Sequence, residues 1–127
     1  MIYGIGTDIV QCSRIEKMWL EHGMSFAKRI LTEYELSVLQ QQKTNQVAFL
    51  AKRFAAKEAV AKALGTGFRD QVLITQVGIE TDLKGKPQVA FYGNTELYVA
   101  TLGIADIQVS ISDEADYVIA FVIAISA

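Results

Sequence analysis

Gln46-Val47-Ala48-Phe49-Leu50-Ala51-Lys52-Arg53-Phe54-Ala55-Ala56-Lys57-Glu58-Ala59-Val60-Ala61-Lys62-Ala63-Leu64 is the longest helical pattern in the chain, and Gly65 ends it. Apolar or alanine residues occur at almost every angle around its axis, so the helix is expected to be buried on most sides. Beyond Thr66 and Gly67 the apolar periodicity changes from about 3.6 residues to 2. Helices first and strands later point to an α+β fold rather than repeated βαβ units.

Working outward toward the N-terminus, Ile2 to Val10 reads as a strand, with Gly4 and Gly6 allowing close backbone approach on one side. Ser13 with Glu16 reads as a capping box, followed by apolar Ile15, Met18 and Trp19 at helical spacing and Gly23 as a stop. Thr32 with Glu35 repeats the capping-box pattern before a helix through Leu36 and Leu39 to Gln42. Toward the C-terminus, Val77 to Thr81 and Gln88 to Tyr92 flank Lys84-Gly85-Lys86-Pro87, a hairpin signal. Thr95 to Leu102 reads as a short helix capped by Asn94 and ended by Gly103. Ile107, Val109 and Ile111 alternate with Gln108, Ser110 and Ser112, a strand with one buried and one exposed face. Tyr117 to Ile125 is apolar on both faces, so a helix of the same subunit or a neighbouring subunit must cover each side. No repeat or linker interrupts the pattern, and residues 1–127 read as a single domain.

The 127 residues are 51% hydrophobic and 20% charged, which describes a globular chain that buries roughly two-thirds of its unfolded surface. A net charge of -2 hides an uneven distribution. Residues 1–69 carry ten Lys/Arg against six Asp/Glu, a surplus of +4, whereas residues 70–127 carry two against eight, a deficit of -6. A basic face on an otherwise acidic protein attracts anionic partners. The lone Cys12 forms no internal disulfide and no Cys/His cluster exists for zinc, which points to a reducing, cytoplasmic setting. His22, the only histidine, stands beside Gly23 at a helix end, a poor position for a catalytic triad. The N-terminus lacks a signal-peptide pattern, and the apolar run Tyr117 to Ile125 falls short of the about 20 residues needed to span a bilayer.

Asp8 is an acid among small and apolar neighbours in Ile5-Gly6-Thr7-Asp8-Ile9-Val10. Because burying a lone carboxylate is costly, it must cap a turn, pair with a base or bind a metal ion. In the long helix, at about 100° per residue, Arg53 and Lys57 fall on one charged stripe and Glu58 and Lys62 on another. Glu58 and Lys62 read either as a surface i,i+4 pair or as a carboxylate and an ammonium sharing a cleft, one for a cation and one for phosphate. Gly65-Thr66-Gly67 reads as a helix C-cap or as a loop whose amides help cradle an anion. Arg14 and Lys17 read as a solvated face or an anion contact.

Gly4-Ile5-Gly6-Thr7-Asp8-Ile9-Val10, Lys52-Arg53-Phe54-Ala55-Ala56-Lys57-Glu58-Ala59, Lys62-Ala63-Leu64-Gly65-Thr66-Gly67 and Val109-Ser110-Ile111-Ser112 together resemble the holo-[acyl-carrier-protein] synthase family, the small bacterial 4'-phosphopantetheinyl transferases. The resemblance spans nearly the whole chain. It implies an α+β fold with an antiparallel sheet packed on a long buried helix, and a homotrimer with active sites between subunits. It also implies Mg2+ dependence and transfer of phosphopantetheine from coenzyme A to a serine of apo acyl carrier protein in fatty acid biosynthesis. By position, Asp8 and Glu58 are then metal ligands, Glu58 and Lys62 catalytic, Lys62, Gly65, Thr66 and Gly67 coenzyme A contacts, and Arg14 and Met18 carrier contacts. The anionic partners become coenzyme A and an acidic carrier rather than nucleic acid or a membrane. Two positions depart from the pattern: Asp113 stands where the family usually has histidine, and Ala61 where serine is common. Those departures carry the alternative of a non-catalytic oligomeric module that binds coenzyme A or a carrier domain.

Overall fold

The computed structural model describes residues 1–127. Strand β1 (Ile2–Gln11) runs into helix α1 (Cys12–His22), followed by α2 (Met24–Ile30), α3 (Glu33–Gln41) and the long α4 (Gln46–Leu64). A hairpin of β2 (Val77–Thr81) and β3 (Pro87–Phe91) leads through α5 (Gly93–Val99) to β4 (Ile104–Glu114) and β5 (Tyr117–Ser126). Two antiparallel sheets result, one in the order β1-β5-β4 and one of β2 with β3. This is the expected α+β arrangement with its long buried helix. No helix is long and apolar enough to cross a membrane.

The three-stranded sheet lies on α4, and two glycines set the distance. A Cβ on Gly4 would stand 2.1 Å from the Ala63 carbonyl oxygen, and one on Gly6 would stand 1.9 Å from that of Ala59. Any side chain there would push strand and helix apart. Across the seam, Val118, Ala120, Val122 and Ala124 of β5 are buried against α4, and Val109 of β4 joins them. The alternation in β4 holds: Ile107, Val109 and Ile111 sit opposite Ala124, Val122 and Ala120, on the helix side of the sheet. The other face of the sheet is uncovered. Ile5 and Ile9 remain 58% and 61% exposed, and Tyr117, Ile119 and Phe121 lie beside them.

Three local expectations are corrected. Ser13 and Glu16 do not form a capping box: Gln11 holds the N-cap position without a side-chain bond, and Ser13 bonds Asp116 instead. Asn94 does not cap α5; the Gln76 side chain accepts from the Thr95 amide at 3.0 Å. Gly23, with φ of 55°, ends α1 as expected, but the chain enters another helix at once and buries Phe26, Ala27 and Ile30. The Thr32–Glu35 capping box is present as read.

Of the charged stripe of Arg53 and Lys57, Lys57 is the residue that the core takes in. Its side chain is fully buried, and its ammonium donates to the Ile30 carbonyl at 2.6 Å, Glu35 Oε1 at 2.5 Å and the Ile74 carbonyl at 3.2 Å. Three acceptors use all three ammonium protons, which is the bonding of the charged form. Burial pulls the Lys57 pKa down while Glu35 pulls it up. The Glu35 carboxylate also accepts from the Thr32 and Ile79 amides at 2.8 and 2.7 Å. One ion pair thus ties the end of α2, the start of α3, α4 and β2 together.

Candidate active site

A strand exposes alternate residues on alternate faces, so Gly4, Gly6, Asp8 and Val10 all face α4. With Gly6 seated on Ala59, Asp8 lies two residues farther along the strand, next to Glu58. Both carboxylates line an open cavity of about 750 Å³, whose wall continues along α1 through Arg14, Lys17 and Met18 to Phe54 of α4. Asp8 is therefore not a turn cap. Its Oδ1 accepts from the Lys62 ammonium at 3.1 Å, and that ammonium also donates to the Thr7 carbonyl at 2.9 Å. Lys62 pairs with Asp8 across the seam rather than with Glu58 along the helix, so the surface i,i+4 reading fails. Its side chain is 53% exposed, against 16% for Asp8, and Coulomb attraction between them is screened accordingly.

Glu58 has no ion-pair partner within 4 Å. Burial pushes its carboxyl above the ordinary carboxylate range, the neighbouring Asp8 charge adds to the rise, and Lys62 opposes it. Two carboxylates forced together in one cleft, with one oxygen pair free of cationic partners, form a hard oxygen donor set. It is too small to enclose a metal, since no three His, Cys, Asp or Glu side chains gather anywhere in the chain. It matches a small divalent cation that binds through one or two acids and keeps its waters.

Gly65, Thr66 and Gly67 do not line this cavity. Their three amides all converge on the Ala61 carbonyl, at 3.1, 3.2 and 3.3 Å, so the helix C-cap reading is realised and the amides are not free to cradle an anion. Gly65 and Thr66 instead border a separate depression of about 310 Å³ together with Arg69.

A second cavity, basic where the first is acidic, has no counterpart in the local sequence pattern. Lys52 and Arg53 of α4, Lys86 of the β2–β3 turn and Ser110 and Asp113 of β4 surround about 460 Å³. The Arg53 guanidinium stacks 3.8 Å from the Phe49 ring centroid, and its buried Nε has no hydrogen-bond partner. Asp113 does not stand as a bare acid among these cations, because its carboxylate lies 3.5 Å from the Lys52 ammonium. Arg53 lay on a charged stripe and Asp113 stood where the family usually has histidine, but Lys86 and Asp113 reach Arg53 from 33 and 60 residues away, so no local pattern joined them. The two cavities share no lining residue.

A model described as the 4'-phosphopantetheinyl transferase superfamily matches residues 4–122. A holo-[acyl-carrier-protein] synthase from Nitrosospira multiformis is 48% identical over 124 residues, covering 97% of this chain and 98% of that protein. One from Neisseria meningitidis is 50% identical over 125 residues, covering 98% of each. Among solved structures, the Neisseria meningitidis holo-[acyl-carrier-protein] synthase superposes with a TM-score of 0.92 at 48% identity, covering 98% of both chains. The Bacillus anthracis holo-(acyl-carrier-protein) synthase in complex with CoA (3',5'-ADP) does so with a TM-score of 0.83 at 36% identity, covering 100% of this chain and 99% of that one.

Proposed function

The chain belongs to the 4'-phosphopantetheinyl transferase superfamily, and on that premise we propose that it transfers 4'-phosphopantetheine from coenzyme A to a serine of apo acyl carrier protein, releasing 3',5'-ADP. The observation that carries the reading is the convergence of Asp8 and Glu58 in one cavity whose opposite wall is the Arg14- and Met18-bearing helix. Relatives named for this activity match 44% to 50% of positions over nearly the whole chain.

In this reading Asp8 and Glu58 hold Mg2+, which suits two acids and retained water. Bound there, the ion supplies positive charge to the pyrophosphate oxygens. Lys62, already at the edge of the carboxylate pair and half exposed, exchanges Asp8 for a phosphate oxygen and neutralises charge on the leaving side. The carrier serine oxygen forms a bond to the phosphorus that bears pantetheine, while the bond from that phosphorus to the bridging oxygen of 3',5'-ADP breaks. Glu58, which lines the cavity beside Asp8, is positioned to take the serine proton. Positioning and electrostatic stabilisation supply most of the rate, as in other phosphoryl transfers. The Gly65-Thr66-Gly67 loop would have to release the Ala61 carbonyl, and the Thr66 hydroxyl the Gly67 carbonyl, before either could donate to a coenzyme phosphate. Arg14 and Met18 meet the acidic carrier.

The enzyme works as a homotrimer of one-domain subunits in the cytoplasm, with sites between neighbours. Support comes from the uncovered apolar sheet face of Ile5, Ile9, Ile119 and Phe121, a contiguous exposed apolar patch of the kind that marks a protein–protein contact. Support also comes from the separation of the acidic cavity from the basic Lys52–Arg53–Lys86 cavity within one chain. A neighbouring subunit brings the two to face each other across a coenzyme.

The test is mass spectrometry of apo acyl carrier protein incubated with the protein, coenzyme A and Mg2+. A phosphopantetheine mass gain is expected. Coenzyme A binding with no gain would overturn catalysis in favour of a binding module.

A further inference from the structure

Helix α1 is held at its start by a residue from the far end of the chain. The first amides of a helix lack intrahelical partners, and here the N-cap residue Gln11 provides none through its side chain. Asp116, in the turn between β4 and β5, takes them over. Its backbone carbonyl accepts from the Cys12 amide at 2.7 Å, its Oδ1 from the Ser13 amide at 3.0 Å and its Oδ2 from the Ser13 hydroxyl at 2.9 Å. The turn is shaped for this contact, with Ala115 in the left-handed region at φ of 52°. A carboxylate at a helix N-terminus is also favoured by the helix dipole.

Beyond this clasp α1 packs on α4, α2 and β1 through few side chains. Of its eleven residues only Ile15 is buried, with Cys12 and Trp19 packed partly against the core. The same helix carries Arg14, Lys17 and Met18 along the wall facing Asp8 and Glu58. A loss of the clasp therefore tilts or frays the first turn, where Arg14 sits, without touching the carboxylates.

We infer that Asp116 is a positioning residue that presents the first turn of α1 to the carrier protein, and so sets carrier affinity from outside the reacting centre. This rests on α1 being the carrier face. The experiment is steady-state kinetics with the carrier and coenzyme A varied separately, on Asp116→Ala, Asp116→Asn, Ser13→Ala and, as a control, Arg14→Ala. Asp116→Ala is expected to raise the carrier KM about three- to thirtyfold, the range of losing one helix cap. The coenzyme A KM and kcat should stay within about twofold of the parent. Asp116→Asn, which still accepts from the Ser13 amide, should restore most of the carrier KM, and Ser13→Ala should fall between. An unchanged carrier KM in Asp116→Ala beside a raised one in Arg14→Ala would overturn the inference alone. Unchanged values in both would overturn the carrier face of α1 and the inference with it. Equal losses in both KM values and kcat, not rescued by Asn, would show a purely structural contact and also overturn it.

Discussion

Replacing Lys57 by Met would remove the ammonium at the centre of the buried cluster while nearly preserving side-chain volume. Glu35, 1% exposed, would then hold a charge facing the Thr32 and Ile79 amides with only the more distant Arg53 charge to offset it, and the Ile30 and Ile74 carbonyls would lose their donor. Stranding one member of a buried pair costs about 3–5 kcal/mol, a large part of the about 5–15 kcal/mol that holds a domain of this size folded. At about 3–5 °C per kcal/mol for this chain length, the melting temperature should drop by about 10–20 °C. The assay is urea denaturation at one fixed protein concentration, because association of subunits would make apparent stability concentration-dependent. The companion variants are Glu35→Gln and the double change. With the charge removed from both sides, the double variant should be at least about 1 kcal/mol more stable than the sum of the single losses implies, the signature of direct coupling. A Lys57→Met loss below about 1 kcal/mol, or strict additivity in the double variant, would refute the account of Lys57 as a charge-paired tie.

Further outcomes concern the site, the seam and the sheet face. Asp8→Asn and Glu58→Gln should each lower Mg2+-dependent transfer by about 100-fold or more, and should lose any rise in melting temperature that Mg2+ gives the parent protein. Glu58 also makes a pH prediction. Its folded pKa is raised above the ordinary value, so its contribution to stability is complete below the unfolded pKa and is lost as pH rises through the folded one. Without metal, Glu58→Gln should therefore gain stability relative to the parent at neutral pH, and this gain should vanish near pH 4; an advantage that grew on acidification would contradict the Asp8–Glu58 repulsion. Gly6→Ala should destabilise by about 3 kcal/mol or more in thermal unfolding, since its Cβ would collide with the Ala59 carbonyl and neither backbone can yield cheaply. Phe121→Asp should reduce the particle measured by light scattering to the 14.0 kDa single chain; a parent that already scatters at that mass would sink the trimer.

Much of the fold could be read from periodicity because short-range pattern and long-range burial agree there. Alternation in β4, the alanine-lined α4 and the glycines of β1 each have one arrangement that buries apolar surface, and the structure adopts it. The candidate site was legible for a related reason. Asp8 is an acid in an otherwise apolar stretch and needs a partner or a job, whereas Glu58, among the charges of α4, was equally readable as a surface pair with Lys62 and was singled out by the family resemblance. What sequence reading missed lies in polar contacts whose partners are distant in the chain. Nothing near Lys57 marks it as buried, since Glu35 is 22 residues away. Nothing near Ser13 marks its true partner, since Asp116 is 103 residues away and Glu16, three residues on, offers a plausible local one.

The sequence alone therefore determined most of the elements and the α+β order, and it marked Asp8 as an acid out of place, because helical and strand periods and the cost of burying charge are local properties of the chain. Only the tertiary structure decided which cation meets which anion. Lys57 went to Glu35 in the core, Lys62 to Asp8 at the cleft and Lys52 to Asp113. Charges of one sign are chemically alike along a sequence, and what distinguishes them is the depth and distance at which the packed backbone sets them down.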